Sequence, residues 1–281
     1  MKILLTGRHG QVGSELAALL PPIANVVAAD RQALDLSDAD AIRRTVRDAR
    51  PDVIVNTAAY TAVDKAEAEE PLALRINGEA PGILADEAKQ LGALLVHYST
   101  DYVFDGGSKR PYLEEDPVGP LGAYGRTKLD GERRIRASGA RYLIVRTAWV
   151  YGNGGNFVRA ILRQAQQGNA LRVVSDQFGA PTWARDIAAI TVRLLETKAE
   201  GVFHVSAAGE ASWYEVAQEA LRKAGLEVDV RAVSTAEYGA RAPRPRYSVL
   251  DNSKLRSCGI APIADWRSRL VPFLDALKST P

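Results

Sequence analysis

Short, nearly all-apolar runs alternate with helical patterns through the first half of the chain, and this alternation constrains the fold more than any single residue does. Ile3 to Thr6, Val26 to Ala29, Val53 to Thr57, Leu94 to Tyr98 and Leu143 to Thr147 have strand length. Helical periodicity fills the gaps at Val12 to Leu20, Asp40 to Ala49, Pro71 to Leu91 and Gly122 to Ala137. Strands separated by helices pair in parallel, and helices then cover both sheet faces, so the strands carry few polar residues. The pattern predicts an α/β fold with a doubly wound, Rossmann-like parallel sheet. With 281 residues and 46% hydrophobic content there is ample material for such a core.

After Tyr151 the pattern changes. Gly152 to Asn156 reads as a loop, Phe157 to Gln167 as a helix and Gln177 to Pro181 as a second irregular stretch. An apolar strand at Val202 to Val205, a helix near Tyr214 to Ala224 and a Pro- and Arg-rich segment at Arg241 to Arg246 follow. These elements predict a smaller C-terminal α/β part, residues 151–183 and 200–281, that binds a substrate. Residues 1–150 form the other part, and Asp186 to Leu195 reads as a helix that returns to the first sheet, so 184–199 goes with it. No internal repeat or low-complexity segment is evident.

The first strand runs into Gly7-Arg8-His9-Gly10-Gln11-Val12-Gly13 and then into an amphipathic helix. A strand, a glycine-rich turn and a helix N-terminus let backbone N–H groups approach a pyrophosphate, whose charge the helix dipole favours. The spacing is G-x-x-G-x-x-G rather than the commoner G-x-G-x-x-G. Asp30 ends the second strand, where a carboxylate accepts hydrogen bonds from a ribose diol. Arg31 beside it would instead meet a ribose phosphate. The two residues point to different cofactors, NADH and NADPH, and the sequence leaves the choice open. Asp35 reads equally as loop solvation before a helix capped by Ser37 or Asp38 and as a contact to the adenine end.

Tyr124 and Lys128 stand at i and i+4 on a predicted helix, so their side chains are neighbours. An ammonium there is expected to lower the phenol's pKa towards working pH and let it trade protons with an alcohol or ketone. Thr100 should lie at the carboxyl edge of the fourth strand, where its hydroxyl can hydrogen-bond a reacting oxygen. Thr100, Tyr124 and Lys128 are thus the candidate catalytic residues.

These residues resemble the extended short-chain dehydrogenase/reductases, and within them the dTDP-4-dehydrorhamnose reductases. The resemblance covers most of the chain, through Gly7 to Gly13, Val55 to Asp64, Ser99 to Gly106, Tyr124 to Lys128, Arg146 to Tyr151 and Asp176 to Thr182. It implies a dinucleotide site lined by Gly10, Gln11, Val12, Asp30, Asp35, Leu36, Ala58, Ala59, Tyr60, Thr61, Tyr98, Tyr124 and Lys128. It implies that Thr100, Asp101, Tyr102 and Trp149 meet a nucleotide-sugar, that Gln177 and Phe178 help form its cleft, and that Tyr124 gives the proton. The reaction implied is hydride transfer to the 4-keto carbon of dTDP-4-dehydro-L-rhamnose, the last step of dTDP-L-rhamnose synthesis. Related dehydratases place an Asp-Glu pair after the catalytic Thr; here Asp101 and Tyr102 stand there, which favours reduction.

Among Arg231, Arg241, Arg244 and Arg246 one guanidinium, Arg244, is expected to meet the diphosphate. Trp149 reads either as a sugar-stacking face or as a core residue at a strand end. His97, on a buried strand, reads as a hydrogen-bonded core residue. His9, His97 and His204 lack metal-ligand spacing. Some members of the family bind magnesium at a dimer interface through glutamates that include C-terminal ones. The resemblance leaves Mg2+ open as a ligand, but this chain has no Glu after Glu237, so no metal-binding residue is assigned, and monomer and homodimer both stay open. A formal charge of +2, from 36 basic and 34 acidic residues, is no footprint for nucleic acid. The single cysteine, Cys258, and the absence of a secretory or membrane-spanning run predict a cytoplasmic protein. Two other readings are an epimerase or reductase for another nucleotide-sugar, and a non-catalytic dinucleotide-binding regulatory protein like the relative that serves methionine adenosyltransferase. The second would be expected to lack the Tyr and Lys pair.

Overall fold

The computed structural model describes residues 1–278. Six strands, β1 (Lys2–Thr6), β2 (Asn25–Ala29), β3 (Val53–Asn56), β4 (Leu94–Thr100), β5 (Arg141–Thr147) and β6 (Gly201–His204), form one sheet. Its order is β6-β5-β4-β3-β1-β2 and every neighbouring pair is parallel. The chain leaves β1 for β2 on one side and returns to place β3 on the other. That reversal opens a crevice at the carboxyl ends of β1 and β3, where such sheets bind ligands.

Successive strand residues point to opposite faces, and the core divides accordingly. Ile3, Leu5, Val55, Val96 and Val145 pack in one apolar cluster, and Leu4, Ile54, Leu95 and Ile144 in another. β4 is buried along its whole length and runs two residues past the predicted end, to Thr100. The edge strand β2 departs from the expectation of two buried faces, because Asn25 and Val27 are open to solvent.

Helices α1 (Gln11–Leu19), α2 (Ala39–Ala49), α3 (Ala80–Leu91) and α4 (Ala123–Ser138) cover the sheet. Asp38 caps α2 by accepting from the Asp40 and Ala41 N–H groups at 2.9 Å each. The helix predicted over Pro71 to Leu91 is interrupted: a turn at Glu70–Leu74 passes into a π-helical turn at Arg75–Glu79 before α3 begins. A π turn inserts an extra residue and redirects a side chain, here the fully buried Asn77.

Two placements differ from the sequence-based division. The strand at 201–204, expected in the C-terminal part, hydrogen-bonds to β5 and completes the main sheet. Its apolar face meets that sheet because β5 would otherwise be a long open edge. Within 177–181, expected to be irregular, Phe178–Gly179 pairs antiparallel with Ala211–Ser212. Helix α6 (Ala184–Glu196) packs on α1, and Arg185 reaches Glu15 at 3.1 Å. Helices α5 (Phe157–Gln166), α7 (Trp213–Ala224) and α8 (Trp266–Lys278) and a parallel pair, Leu171–Val174 with Val230–Val233, make up most of the remainder. Among the described residues no helix is long and apolar enough to cross a membrane.

Candidate active site

Gly7 adopts φ +72°, and a Cβ there would fall 2.7 Å from Thr57 Oγ1 and 2.8 Å from the Ala58 nitrogen. Only glycine lets β1 turn so tightly against the end of β3. Gly13 packs behind, with no room for a side chain against the Gly7 carbonyl. Gly10 is the N-cap of α1 and offers no side-chain cap, so the first N–H groups of that helix face the crevice.

The crevice is a cleft of about 510 Å³. Gly7, Gly10, Gln11, Val12, Asp30, Arg31, Asp35, Leu36, Ala58, Ala59, Tyr60, Thr61, Tyr98, Tyr124 and Lys128 all line it. Of the predicted dinucleotide residues Gly13 alone stands back from it. Asp30 Oδ1 accepts from the Ala33 and Gln32 N–H groups at 3.0 Å each, which holds its carboxyl below the ordinary value, and His9 Nε2 lies 3.4 Å from Oδ2. Asp35 is turned partly inward on its own loop, accepting from the Ser37 N–H and hydroxyl at 2.8 Å. Among the described residues, Gln11 Oε1, Ser99 Oγ and Thr147 Oγ1 are buried in this cleft without a hydrogen-bond partner. Orphaned polar atoms are costly unless something binds there, so the donor set fits a polar dinucleotide.

At the carboxyl end of β4, Thr100 Oγ1 donates to Asp101 Oδ1 at 3.0 Å and accepts from the Tyr102 N–H at 3.2 Å. Burial pushes the Tyr124 phenol up to about 12, opposed by the polar Thr100 side chain near it. That corrects the expectation of a lowered phenol. The Lys128 ammonium does not offset the burial, because its Nζ is turned to the Tyr98 carbonyl at 2.6 Å and to His97 Nε2 at 3.1 Å. Burial lowers Lys128 itself to about 8, against the opposing charge of Glu132. Asp101 is only 2% exposed. Burial raises its carboxyl to about 7, opposed by hydrogen bonds from Ser248 and Thr100.

One residue that holds this centre escaped the sequence reading. Asn77, carried inward by the π turn, accepts from the Tyr60 N–H at 2.8 Å and donates to the Tyr60 carbonyl at 3.0 Å and to Thr127 Oγ1 at 3.2 Å. It ties the cofactor-side loop to α4 midway between Tyr124 and Lys128. The available signal was the Asn77-Gly78 pair inside a helical run, where both residues disfavour a regular helix.

A second cleft of about 380 Å³ opens beside the first, lined by Tyr102, Gln177 and Arg244 together with Val63, Phe157, Arg172, Trp213 and Tyr238. The rings of Tyr102 and Tyr124 meet edge to face with centroids 5.7 Å apart, so the two clefts border each other at that pair. Arg244 is held by both oxygens of Asp64, at 2.8 and 3.1 Å. Arg231 and Arg241 are exposed, as is Arg246. Trp149, at φ +47°, stacks on Trp213 at 3.5 Å between centroids and lines neither cleft. Phe178 is part of a short strand outside both linings, its backbone bonded to Arg246 and Ser248. Thr100 and Asp101 are both buried and are part of neither lining, Thr100 following the cleft residues Tyr98 and Ser99 and preceding Tyr102. Among the described residues no group of three or more His, Cys, Asp or Glu is arranged to hold a metal ion.

A doubly wound sheet with a glycine turn at its reversal point and a Thr, Tyr, Lys set at its carboxyl edge defines an oxidoreductase of the extended short-chain dehydrogenase/reductase class. The family model described as the RmlD substrate binding domain matches residues 1–279, and the chain belongs to the dTDP-4-dehydrorhamnose reductase family. A dTDP-4-dehydrorhamnose reductase of Burkholderia thailandensis is 44% identical, over 95% of this chain and 96% of its own. The crystal structure of such a reductase from Clostridium acetobutylicum superposes with a TM-score of 0.96 at 41% identity, covering 99% of this chain and 100% of the other. One from Bacillus anthracis, solved in complex with NADP, gives 0.95 at 36% identity over 98% and 99% of the two chains.

Proposed function

We propose that the protein reduces the 4-keto group of dTDP-4-dehydro-L-rhamnose to the alcohol of dTDP-L-rhamnose, with NADH or NADPH in the first cleft and the nucleotide-sugar reaching in from the second. The observation that carries the reading is the contact between a wall residue of each cleft, Tyr102 and Tyr124, which sets the Tyr124 ring at the border of the two clefts with Thr100 near it. The dTDP-4-dehydrorhamnose reductases among the relatives and the NADP complex of one of them support the same substrate and cofactor classes.

Bound nicotinamide supplies the hydride. Tyr124 supplies the proton: a phenol pushed up to about 12 is fully protonated at neutral pH, which suits it to the acid role of a reduction. Thr100, near the phenol, offers a second polar contact to the ketone oxygen as negative charge develops on it. Asn77 and the Tyr60 backbone fix the loop that faces the cofactor. Arg244 and Arg172 suit a diphosphate, and Phe157, Trp213, Tyr238 and the Gln177 amide suit a pyrimidine base. Asp101 is the only carboxylate directly after Thr100, and its enclosure leaves no acid and base pair for eliminating water. On the ribose side Asp30 is an acceptor for a diol, while Arg31 brings positive charge for a phosphate, so the pocket has partners for both cofactors. No step needs a metal ion. A reducing cytoplasm fits the single thiol.

Purified protein mixed with enzymatically generated dTDP-4-dehydro-L-rhamnose and either reduced cofactor should consume the cofactor in step with formation of dTDP-L-rhamnose. Inertness on that substrate while another 4-keto sugar nucleotide is turned over would assign a different substrate.

A further inference from the structure

Thr6, Asn56 and His97 lie in one register row across β1, β3 and β4, and all three are buried. Their side chains form a chain that ends on Lys128. Thr6 Oγ1 donates to Asn56 Oδ1 at 2.7 Å, Asn56 Nδ2 lies 3.1 Å from His97 Nδ1, and His97 Nε2 lies 3.1 Å from Lys128 Nζ. The same sheet face carries Leu4, Ile54 and Leu95 just below, and Ile144 of β5 continues the row itself beside His97, so an apolar row would serve folding equally well.

The proton positions in this chain are not independent. With its oxygen on Thr6, Asn56 presents an N–H to Nδ1, so Nδ1 accepts and the one proton of a neutral imidazole sits on Nε2, facing Lys128. An N–H aimed at Nζ is satisfied only when Nζ is an amine with a free lone pair. If Lys128 is instead an ammonium, Nε2 must accept and the imidazole proton sits on Nδ1. Asn56 then turns its amide, receiving that proton on Oδ1 and donating from Nδ2 to Thr6 Oγ1. Both arrangements pair a donor with an acceptor at each of the three contacts between Thr6, Asn56, His97 and Lys128, and they differ by one proton, on Lys128. In both, the Tyr98 carbonyl keeps its bond from Nζ.

We propose that His97 is a positioning residue for Lys128: backed by Asn56 and Thr6, its imidazole changes tautomer as Lys128 gains or loses a proton, holding the nitrogen in one place in both charge states. The proposal rests on the reductase reading, in which Lys128 works beside Tyr124. Burial and the Lys128 charge keep His97 well below its ordinary value, so it stays neutral and only the tautomer changes. The other ionisable groups around Lys128 are accounted for. Glu132 on the same helix favours the ammonium but is bound by both arms of Arg146 from β5, at 2.9 and 2.7 Å, and Tyr124 and Asp101 face Thr100. With Lys128 at about 8, both states are populated near working pH.

The test is nitrogen-15 NMR of histidine-labelled, cofactor-free protein. There are three histidines, and the His97 signal is the one missing from His97→Gln. His97 should stay neutral through the titration and cross from Nδ1–H to Nε2–H near pH 8, the point to which burial brings Lys128, and Lys128→Met should abolish the crossover. A single tautomer throughout, formation of an imidazolium near its ordinary pH, or a crossover that survives Lys128→Met would each overturn the proposal. In turnover, His97→Leu should move the Lys128 limb of the kcat profile down by about one pH unit, since a hydrogen bond to the ammonium is lost. His97→Gln, whose amide can turn either way, should restore it; an unmoved limb in His97→Leu also contradicts the proposal. A protein with the crossover but no reductase activity would instead sink the functional reading and leave the tautomer switch standing.

Discussion

Replacing Asn77 with alanine should loosen the cofactor loop more than it unfolds the protein. The side chain satisfies both backbone groups of Tyr60 and touches Thr127, whose hydroxyl keeps a second bond to the Tyr124 carbonyl at 3.0 Å. Two groups are therefore stranded, at about 1–3 kcal/mol each when buried. Tyr60 is partly open to solvent, so water recovers some of this and the total is about 2–3 kcal/mol. Much of that can be relieved by letting the loop open, which appears as lost cofactor affinity rather than global instability. A share of 1.4 kcal/mol is tenfold in binding. Fluorescence titration with NADH should then give a Kd raised about tenfold or more in Asn77→Ala, while urea denaturation shows a loss of about 2–3 kcal/mol. Asn77→Asp, which keeps the acceptor for the Tyr60 N–H, should fall between. Wild-type Kd and stability in Asn77→Ala would refute the assignment of that side chain as the tie between loop and helix.

Arg244→Ala should raise KM for the sugar nucleotide by about tenfold with kcat little changed, as expected for a diphosphate contact remote from the ketone; a kcat loss without a KM change would place Arg244 in the chemistry instead. Asp30→Ala should raise the NADPH to NADH ratio of kcat/KM, because it removes the diol acceptor and a negative charge beside Arg31 and His9, and a fall in that ratio would refute the ribose assignment. Asp101 makes a pH prediction. Its folded value, about 7, lies above the ordinary 3.8, so the folded protein binds the extra proton between these values. Its contribution to stability is complete below 3.8 and is lost as pH rises towards 7. Asp101→Asn should therefore gain in Tm relative to wild type as pH rises through that window, and a constant difference would show that Asp101 titrates normally.

The parallel sheet was legible because its signal is local: each apolar run has strand length, and each gap carries helical periodicity. The glycine turn was legible for the same reason, since Gly7 and Gly13 answer to steric demands within a few residues. What escaped depends on partners far along the chain. The strand at 201–204 looked like a strand, but no local pattern says that β5 is its neighbour. Tyr124 and Lys128 were correctly read as one helix face, yet the charge expected on the phenol goes to the Tyr98 carbonyl and His97, which the spacing cannot see. Trp149 packs against the core, one of its two expected placements, but its stacking partner there, Trp213, comes from a distant helix. The π turn leaves little trace, because it needs one inserted residue and no change in composition.

The measurement that bears most directly on Tyr124 as the proton donor is the single-turnover rate of Tyr124→Phe with NADPH pre-bound and dTDP-4-dehydro-L-rhamnose as substrate. The ring and its packing on Tyr102 remain, and only the hydroxyl is lost. Loss of a general acid predicts a rate lower by about 10²–10⁴ with NADPH affinity unchanged. A variant that reduces the sugar ketone at the wild-type rate would contradict it, and the proton would have to come from elsewhere in the junction between the clefts.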